Sequence, residues 1–376
     1  LERAKNNYLA QLDRQFKDRD KQESGRIVNQ YVSNFLSNSP IPGIEWRFEF
    51  SKDALPTIQV KEVNALINDF LHDDNRVIIL TGPDKEDLKQ VTENEIYALL
   101  KDVENTKLEP YQDTELRENL IVNMPKAGSV TGEETNEQFD FKTLLLSNGA
   151  KVVYKNTDFK NDEILFAAYS PGGTSLYSDE DYISTVYANG GLTEAGIAGL
   201  SLNDLNKMMT GKIVSVRPGI SSYSEGFNGS STPQDLETLF QLVHLYFTDL
   251  NMDKDAYNSF IEKQKNFLGN MMANPSTYFQ NELGKFRNEG NSRYVGFPTP
   301  EFMDAQDYSL AYKNYKERFA NASDFIFYFT GNIDEEKLKE YASTYLASLP
   351  GGGEKEIYAV PEFREPNTQR KKVVYK

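Results

Sequence analysis

The sequence predicts an α+β architecture of repeated units, each an antiparallel-leaning sheet covered by helices. Three observations carry that prediction. Leu1-Glu2-Arg3-Ala4-Lys5-Asn6 recurs as Ile261-Glu262-Lys263-Gln264-Lys265-Asn266, and Val77-Ile78-Ile79-Leu80-Thr81-Gly82 recurs as Ile326-Phe327-Tyr328-Phe329-Thr330-Gly331, in the same order. Self-similarity at two points in one order signals an internal duplication. Short alternating apolar runs then occur in pairs separated by turn residues, which reads as antiparallel strands. Between those pairs lie runs of helical periodicity, themselves often in pairs, so helices are expected on one face of each sheet.

Taken in order, residues 1–38 read as one or two helices, because Leu1, Ala4, Tyr8 and Leu12 recur at helical spacing and Ser37-Asn38-Ser39-Pro40 closes the run. Glu45-Trp46-Arg47-Phe48-Glu49-Phe50 alternates and is expected to be a half-buried strand. Val60 to His72 is helical, Arg76 to Thr81 a central strand, and two shorter helices follow to about Val103. Asn123 to Thr135 is rich in Gly, Pro and charge without periodicity, and is expected to be a mobile linker.

Phe141 to Tyr154 is a strand pair turned at Asn148-Gly149, and Glu163 to Tyr169 a strand ended by Pro171-Gly172-Gly173. Asp181 to Ala188 reads as a short helix, and Ser201 caps another. Ile213–Arg217 and Ile220–Asn228 form strands turned at Pro218-Gly219. Thr232 caps a long helix with Pro233 at its first position. Helices fill most of Asp253–Arg287 and Gln306–Phe319, and the repeated strand and a last helix end at Leu349-Pro350-Gly351-Gly352-Gly353. Lys371–Lys376 is basic and β-branched, as an unfinished strand would be, and the absence of a starting Met agrees with a segment of a longer protein.

Composition narrows the function. The 376 residues suffice for two cores, and a net charge of −16 opposes binding to nucleic acid or an anionic membrane. With no cysteine, thiolate metal sites and cysteine nucleophiles are excluded. No run of about 18 apolar residues is present to span a membrane. Gly-Xaa-Ser-Xaa-Gly is absent, and neither Gly172-Gly173 nor Gly351-Gly352-Gly353 has a phosphate loop's context. The two histidines are far apart in sequence. His244 lies in an apolar helix and is expected to be packed and hydrogen-bonded, and His72 sits at a helix end.

Leu146-Ser147-Asn148-Gly149-Ala150-Lys151-Val152 fits an L-x-N-G-x-x-V opening, followed by a Gly-Gly turn, helix, strand pair, capped helix, strand with Thr-Gly, and acidic helix ending in Leu-Pro. In that order these features resemble a domain of the pitrilysin/insulinase family, the inverzincin zinc metallopeptidases. The resemblance implies metallopeptidase-like domains, four per protein, enclosing a chamber. It makes residues 1–122 the latter part of a second domain, 123–137 the linker between halves, 138–350 a third domain, and 351–376 a linker and the start of a fourth.

The family's catalytic half binds zinc through H-x-x-E-H on the helix after the Gly-rich turn. Here that helix reads Asp181-Tyr182-Ile183-Ser184-Thr185-Val186-Tyr187-Ala188-Asn189-Gly190, without histidine. The resemblance therefore implies a segment with no catalytic residues and no metal, joined to a catalytic N-terminal half that carries the zinc. Its expected role is chamber wall and peptide contact in a zinc-dependent endopeptidase, periplasmic or in the cell envelope. A non-enzymatic binding or assembly module is the alternative. Tyr182, Ser184 and Tyr187 are the expected substrate contacts, because tyrosine and serine pair flat apolar area with hydrogen bonding; packing of the tyrosines inside the domain is the competing reading.

Overall fold

A computed structural model describes all residues except 71–76, 81–90, 108, 110, 111, 114, 187, 361–369 and 376. The chain divides into two compact units, Asp53–Leu116 with Leu1, and Glu2–Lys52 with Arg117–Lys376. The helices of Glu2–Lys52 thus group with the larger unit.

In chain order the first helices are α1 (Glu2–Lys17), α2 (Ser24–Ser37) and α3 (Ile44–Ala54). The smaller unit holds α4 (Val60–Ala65), α5 (Ile67–Phe70) and α6 (Glu93–Asn105), the last started by a capping box in which Thr92 and Glu95 satisfy each other's backbone N–H groups.

The larger unit is built on seven strands, β1 (Val130–Asn136), β2 (Phe141–Leu146), β3 (Lys151–Asn156), β4 (Ile164–Pro171), β5 (Val214–Ile220), β6 (Ser224–Ser231) and β7 (Ile326–Gly331). Their order is β1-β2-β3-β7-β4-β6-β5, antiparallel throughout except for the parallel β3–β7 pair. Between strands run α7 (Asp179–Thr185), α8 (Ala188–Thr193), α9 (Leu202–Met208), α10 (Leu236–Thr248), α11 (Lys254–Met271), α12 (Pro275–Arg287), α13 (Pro300–Asp304) and α14 (Tyr308–Arg318), with α15 (Glu335–Tyr341) last.

One face of the sheet carries the core. Alternate residues Leu144, Val152, Phe166, Phe227, Phe327 and Phe329 are buried, and Phe329 stacks on Phe240 of α10 at 5.0 Å. The opposite parity is open: Leu165 and Tyr169 of β4, Asn228 of β6 and Tyr328 of β7 are exposed. Register aligns Val153, Tyr328, Ala167, Asn228 and Arg217 across five strands of that face.

Several expected elements are corrected. Glu45–Phe50 is helical, because Trp46 and Phe50, four apart, stack at 4.8 Å while Phe48 stacks on Phe16 of α1 at 4.9 Å. Of the first repeated strand, Val77–Leu80 is exposed and unpaired among the described residues, while the rest of Arg76–Thr81 and Gly82 lie outside them. Its counterpart β7 is the central strand. Apolar succession makes a strand only where neighbouring strands accept its hydrogen bonds. The proposed linker becomes strand β1 from Val130, paired to β2. The last run, Lys371–Tyr375, is not a strand; Lys372 instead pairs with Glu282 of α12 at 2.7 Å.

The β5–β6 turn also moves. β5 runs through Pro218-Gly219, and the chain turns at Ser221–Ser224, where Ser221 accepts the Ser224 N–H. Thr232 accepts from Asp235 N–H at 3.1 Å, so α10 starts only at Leu236. The expected helix of Asp181–Ala188 is two, α7 capped by Ser178 and the separate α8.

Candidate functional site

β4 ends at a sharp turn whose geometry demands glycine. Gly173 has φ +63°, and a Cβ there would lie 2.4 Å from Ser221 O. The turn hands the chain to Gly173–Leu176, whose Thr174 and Ser175 N–H groups donate to Ser221 O and Ser222 O at the tip of the β5–β6 hairpin. α7 follows, with Ser178 accepting the Asp181 N–H.

These pieces and the 291–296 loop enclose a cleft of about 470 Å³ whose walls include Ser175, Tyr182, Tyr223, Arg293 and Tyr294. Arg293 shapes it. Its guanidinium donates to Asp179 Oδ1 at 2.7 Å and to the carbonyls of Thr174 and Tyr177, and it lies 5.5 Å from the Tyr182 ring centroid. The Ser292 hydroxyl and Arg293 together hold the Asp179 carboxyl below its ordinary range. With its donors engaged, Arg293 acts as a fixed wall that orders the start of α7.

Beneath the glycine turn lies a buried polar cluster. Gly173 N–H donates to Glu225 Oε2 at 2.7 Å, and Glu225 is 3% exposed. Arg318 of α14 donates bidentately to Glu356, at 2.6 and 3.0 Å, and to the Tyr177 hydroxyl at 3.1 Å. Burial pushes the Glu225 carboxyl up to about 7, outweighing the Gly173 bond and the attraction of Arg318. Burial likewise pushes the Tyr177 hydroxyl up to about 12. The segment after Leu349 is pinned over this cluster, with Ala359 N–H on Ser175 Oγ at 3.0 Å and the Tyr358 ring 5.4 Å from that of Tyr223.

The structure separates the three expected contact residues. Tyr182 lines the cleft, half-buried, and burial raises its hydroxyl pKa. Ser184 is 2% exposed and accepts the Asp307 N–H at 2.8 Å, so its hydroxyl ties α7 to the start of α14. Tyr187 lies outside the described residues. His244 is packed, with Nδ1 2.9 Å from Tyr345 O, and burial lowers its pKa; His72 falls outside the described residues.

Sequence reasoning missed Glu225, Arg318 and Arg293. For two of them a signal existed: Glu225 shares strand parity with the core residue Phe227, and Arg318 follows the buried Ala311 and Tyr315 on one stripe of α14. Arg293 stands in an aperiodic loop that gives no such signal.

The residues of α7 and α8 do not fit zinc. Ser184 and Thr185 are buried and bonded within the protein, no histidine or cysteine is present, and no group of three metal-capable side chains occurs among the described residues. Among the described residues, no helix is long and apolar enough to cross a membrane.

No protein-family model matches the chain. The zinc protease PQQL-like of Arabidopsis thaliana is 24% identical over 343 residues, 91% of this chain and 33% of that protein. The probable zinc protease PqqL of Haemophilus influenzae is 22% identical over 332 residues, 86% of this chain and 35% of that protein. In fold, the chain matches the periplasmic protease PqqL from Escherichia coli with a TM-score of 0.57, at 20% identity, covering 95% of this chain and 39% of that one. A sheet clothed by helices on one face, matched over nearly its whole length, gives the chain a metallopeptidase-like α+β fold. The chain spans about a third of the length of the curated relatives it matches. These likenesses fit the pitrilysin/insulinase family that the sequence resembles.

Proposed function

We infer that this chain is the non-catalytic central segment of a zinc-dependent endopeptidase, supplying wall and peptide-contact surface to an enclosed chamber. On this reading residues from about 138 to 350 are the third domain and residues beyond 351 lead to a fourth. The zinc and the catalytic residues belong to an N-terminal half of the same polypeptide, and the substrates are peptides or small proteins. A periplasmic setting draws support from the Escherichia coli relative, a periplasmic protease.

The observation that carries the reading is the one-sided sheet. Its inner face is filled by aromatics, while Leu165, Tyr169 and Tyr328 stand exposed on the other with no covering layer among the described residues. A sheet face left open with Leu165, Tyr169 and Tyr328 on it suits contact with unfolded chain, and the helix after the glycine turn includes no histidine to hold zinc.

The test uses the complete protein. Tyr182→Ala should raise the KM for peptide cleavage several-fold with little change in kcat and with folding intact. Unchanged kinetics would assign Tyr182 to structure alone. A complete protein that binds no stoichiometric zinc and cleaves no peptide would favour the non-enzymatic module.

A further inference from the structure

Among the described residues β5 ends the sheet, with only β6 beside it. At one end of this hairpin Thr232 N–H donates to Ile213 O at 3.2 Å, and at the other Ser221 N–H donates to Ser224 O at 2.7 Å. The register between them pairs Val214 with Ser231 through Ile220 with Glu225. In an antiparallel pair the bonded positions alternate, so Ser215, Arg217 and Gly219 bond β6. Val214, Val216, Pro218 and Ile220 therefore turn their backbone groups away from the sheet, and none of these groups has a partner among the described residues.

Pro218 falls in this outward row, the place where a missing N–H costs the ladder nothing. It leaves three donors and four acceptors in line. Val216 is buried on the helix side, so Ser215 and Arg217 stand on the open face, both exposed. The Arg217 side chain has no hydrogen bond or ion pair among the described residues, although the chain holds 57 acidic side chains against 41 basic. The hairpin tip beyond Ile220 brings Ser222 and Tyr223 into the wall of the Tyr182 cleft.

We propose that the free edge of β5 takes up an extended peptide as a further strand, with an acidic side chain opposite Arg217 and the end of the peptide entering the cleft beside Tyr182 and Tyr223. The inference deepens the peptide-contact reading above and rests on it. Only an extended chain repeats its backbone groups every two residues and can match this row. Because Arg217 spends its backbone bonds on β6, it meets the incoming residue as a non-bonded pair, the type in which side chains approach most closely. A second copy of the chain is a poorer occupant, since each carries a net charge of −16.

The experiment uses the 376-residue chain and two capped nonapeptides of alternating Thr and Val, one with Asp and one with Lys at the centre. Amide exchange is followed residue by residue. Saturation with the Asp peptide should slow Val214, Val216 and Ile220 about tenfold or more, while Ser215, Arg217 and Gly219, already in the ladder, do not change. Arg217→Glu should weaken the Asp peptide about tenfold and strengthen the Lys peptide by a similar factor, through charge alone. Binding that leaves the three outward amides unchanged would overturn strand addition and leave the chamber-wall reading standing. Indifference to the charge reversal, failure of both peptides to bind, or protection that grows with protein concentration alone would each overturn it as well. The chamber-wall reading fails by a different measure, the Tyr182→Ala cleavage kinetics of the complete protein.

Discussion

Arg318 Nη1 lies 4.0 Å from Glu225 Oε2 but 2.6 Å from Glu356 Oε2, so a guanidinium inside the fold gives its short bonds to the more exposed of two carboxylates. Glu225 is left with a single backbone donor at hydrogen-bond distance, Gly173, and a serine, Ser170, to offset its burial. Burial wins, and its pKa stands near 7.

The pH consequence has a definite sign. The folded protein holds the Glu225 proton more tightly than the unfolded chain, in which glutamate titrates near 4.5. Its contribution to stability is complete below that value and is lost as pH rises through about 7. Between pH 5 and 7 this one group should lower the unfolding free energy by up to ~1.4 kcal/mol per pH unit. Glu225→Gln, which still accepts the Gly173 N–H, should remove that slope. Denaturant midpoints of the two proteins across the range provide the check.

Removing the guanidinium should cost far more than removing its outer partner. Arg318→Met strands Glu225 and Tyr177 without their cation and should destabilise by about 3–5 kcal/mol. Glu356→Gln touches a carboxylate with an exposed side chain and should cost under about 1 kcal/mol. Equal losses would show that Glu356, and not the buried pair, dominates the cluster.

The glycine turn should tolerate no side chain. Gly173→Ala puts a Cβ 2.4 Å from Ser221 O and 2.5 Å from Ser224 N in a backbone region that L residues avoid. A loss of about 2–4 kcal/mol in denaturant unfolding is expected, because both contacts are backbone and cannot rotate away. Gly199→Ala is the control: its φ is also positive, +72°, but nothing lies within 4 Å, so only the conformational cost of about 1 kcal/mol remains.

Ser184 and Tyr182, neighbours on α7, should separate cleanly. Ser184→Ala leaves the Asp307 N–H without its acceptor and should cost about 1–2 kcal/mol of stability with peptide affinity unchanged. Tyr182→Ala should do the reverse, weakening peptide contact at small cost to folding. Thermal unfolding and peptide titration on the same samples give both readings.

Much of the larger unit is legible in its sequence because its strands announce themselves locally. The Asn148-Gly149 turn sets the β2–β3 hairpin, and the apolar run Ile326–Phe329 marks the central strand. Trp46, Phe48 and Phe50 misled because six alternating residues satisfy a strand period, while Trp46 and Phe50 also meet at i, i+4 on a helix. Only a partner, here Phe16, settles between the two. Pro218 misled in another way: it breaks a central strand but is harmless in the outward row of an edge strand, and edge position is not a local property.

What the sequence alone determined is therefore what neighbouring residues decide: turns, caps, apolar period, and the absence of histidine from the helix after the glycine turn. Tertiary structure decided what depends on distant partners. It buried Ser184 against Asp307, set Glu225 and Arg318 on facing elements 93 residues apart in sequence, and made β5 the free edge. The physical reason is that burial and strand neighbours are set by residues far along the chain, and these fix whether a carboxyl keeps its proton or a backbone N–H keeps a partner.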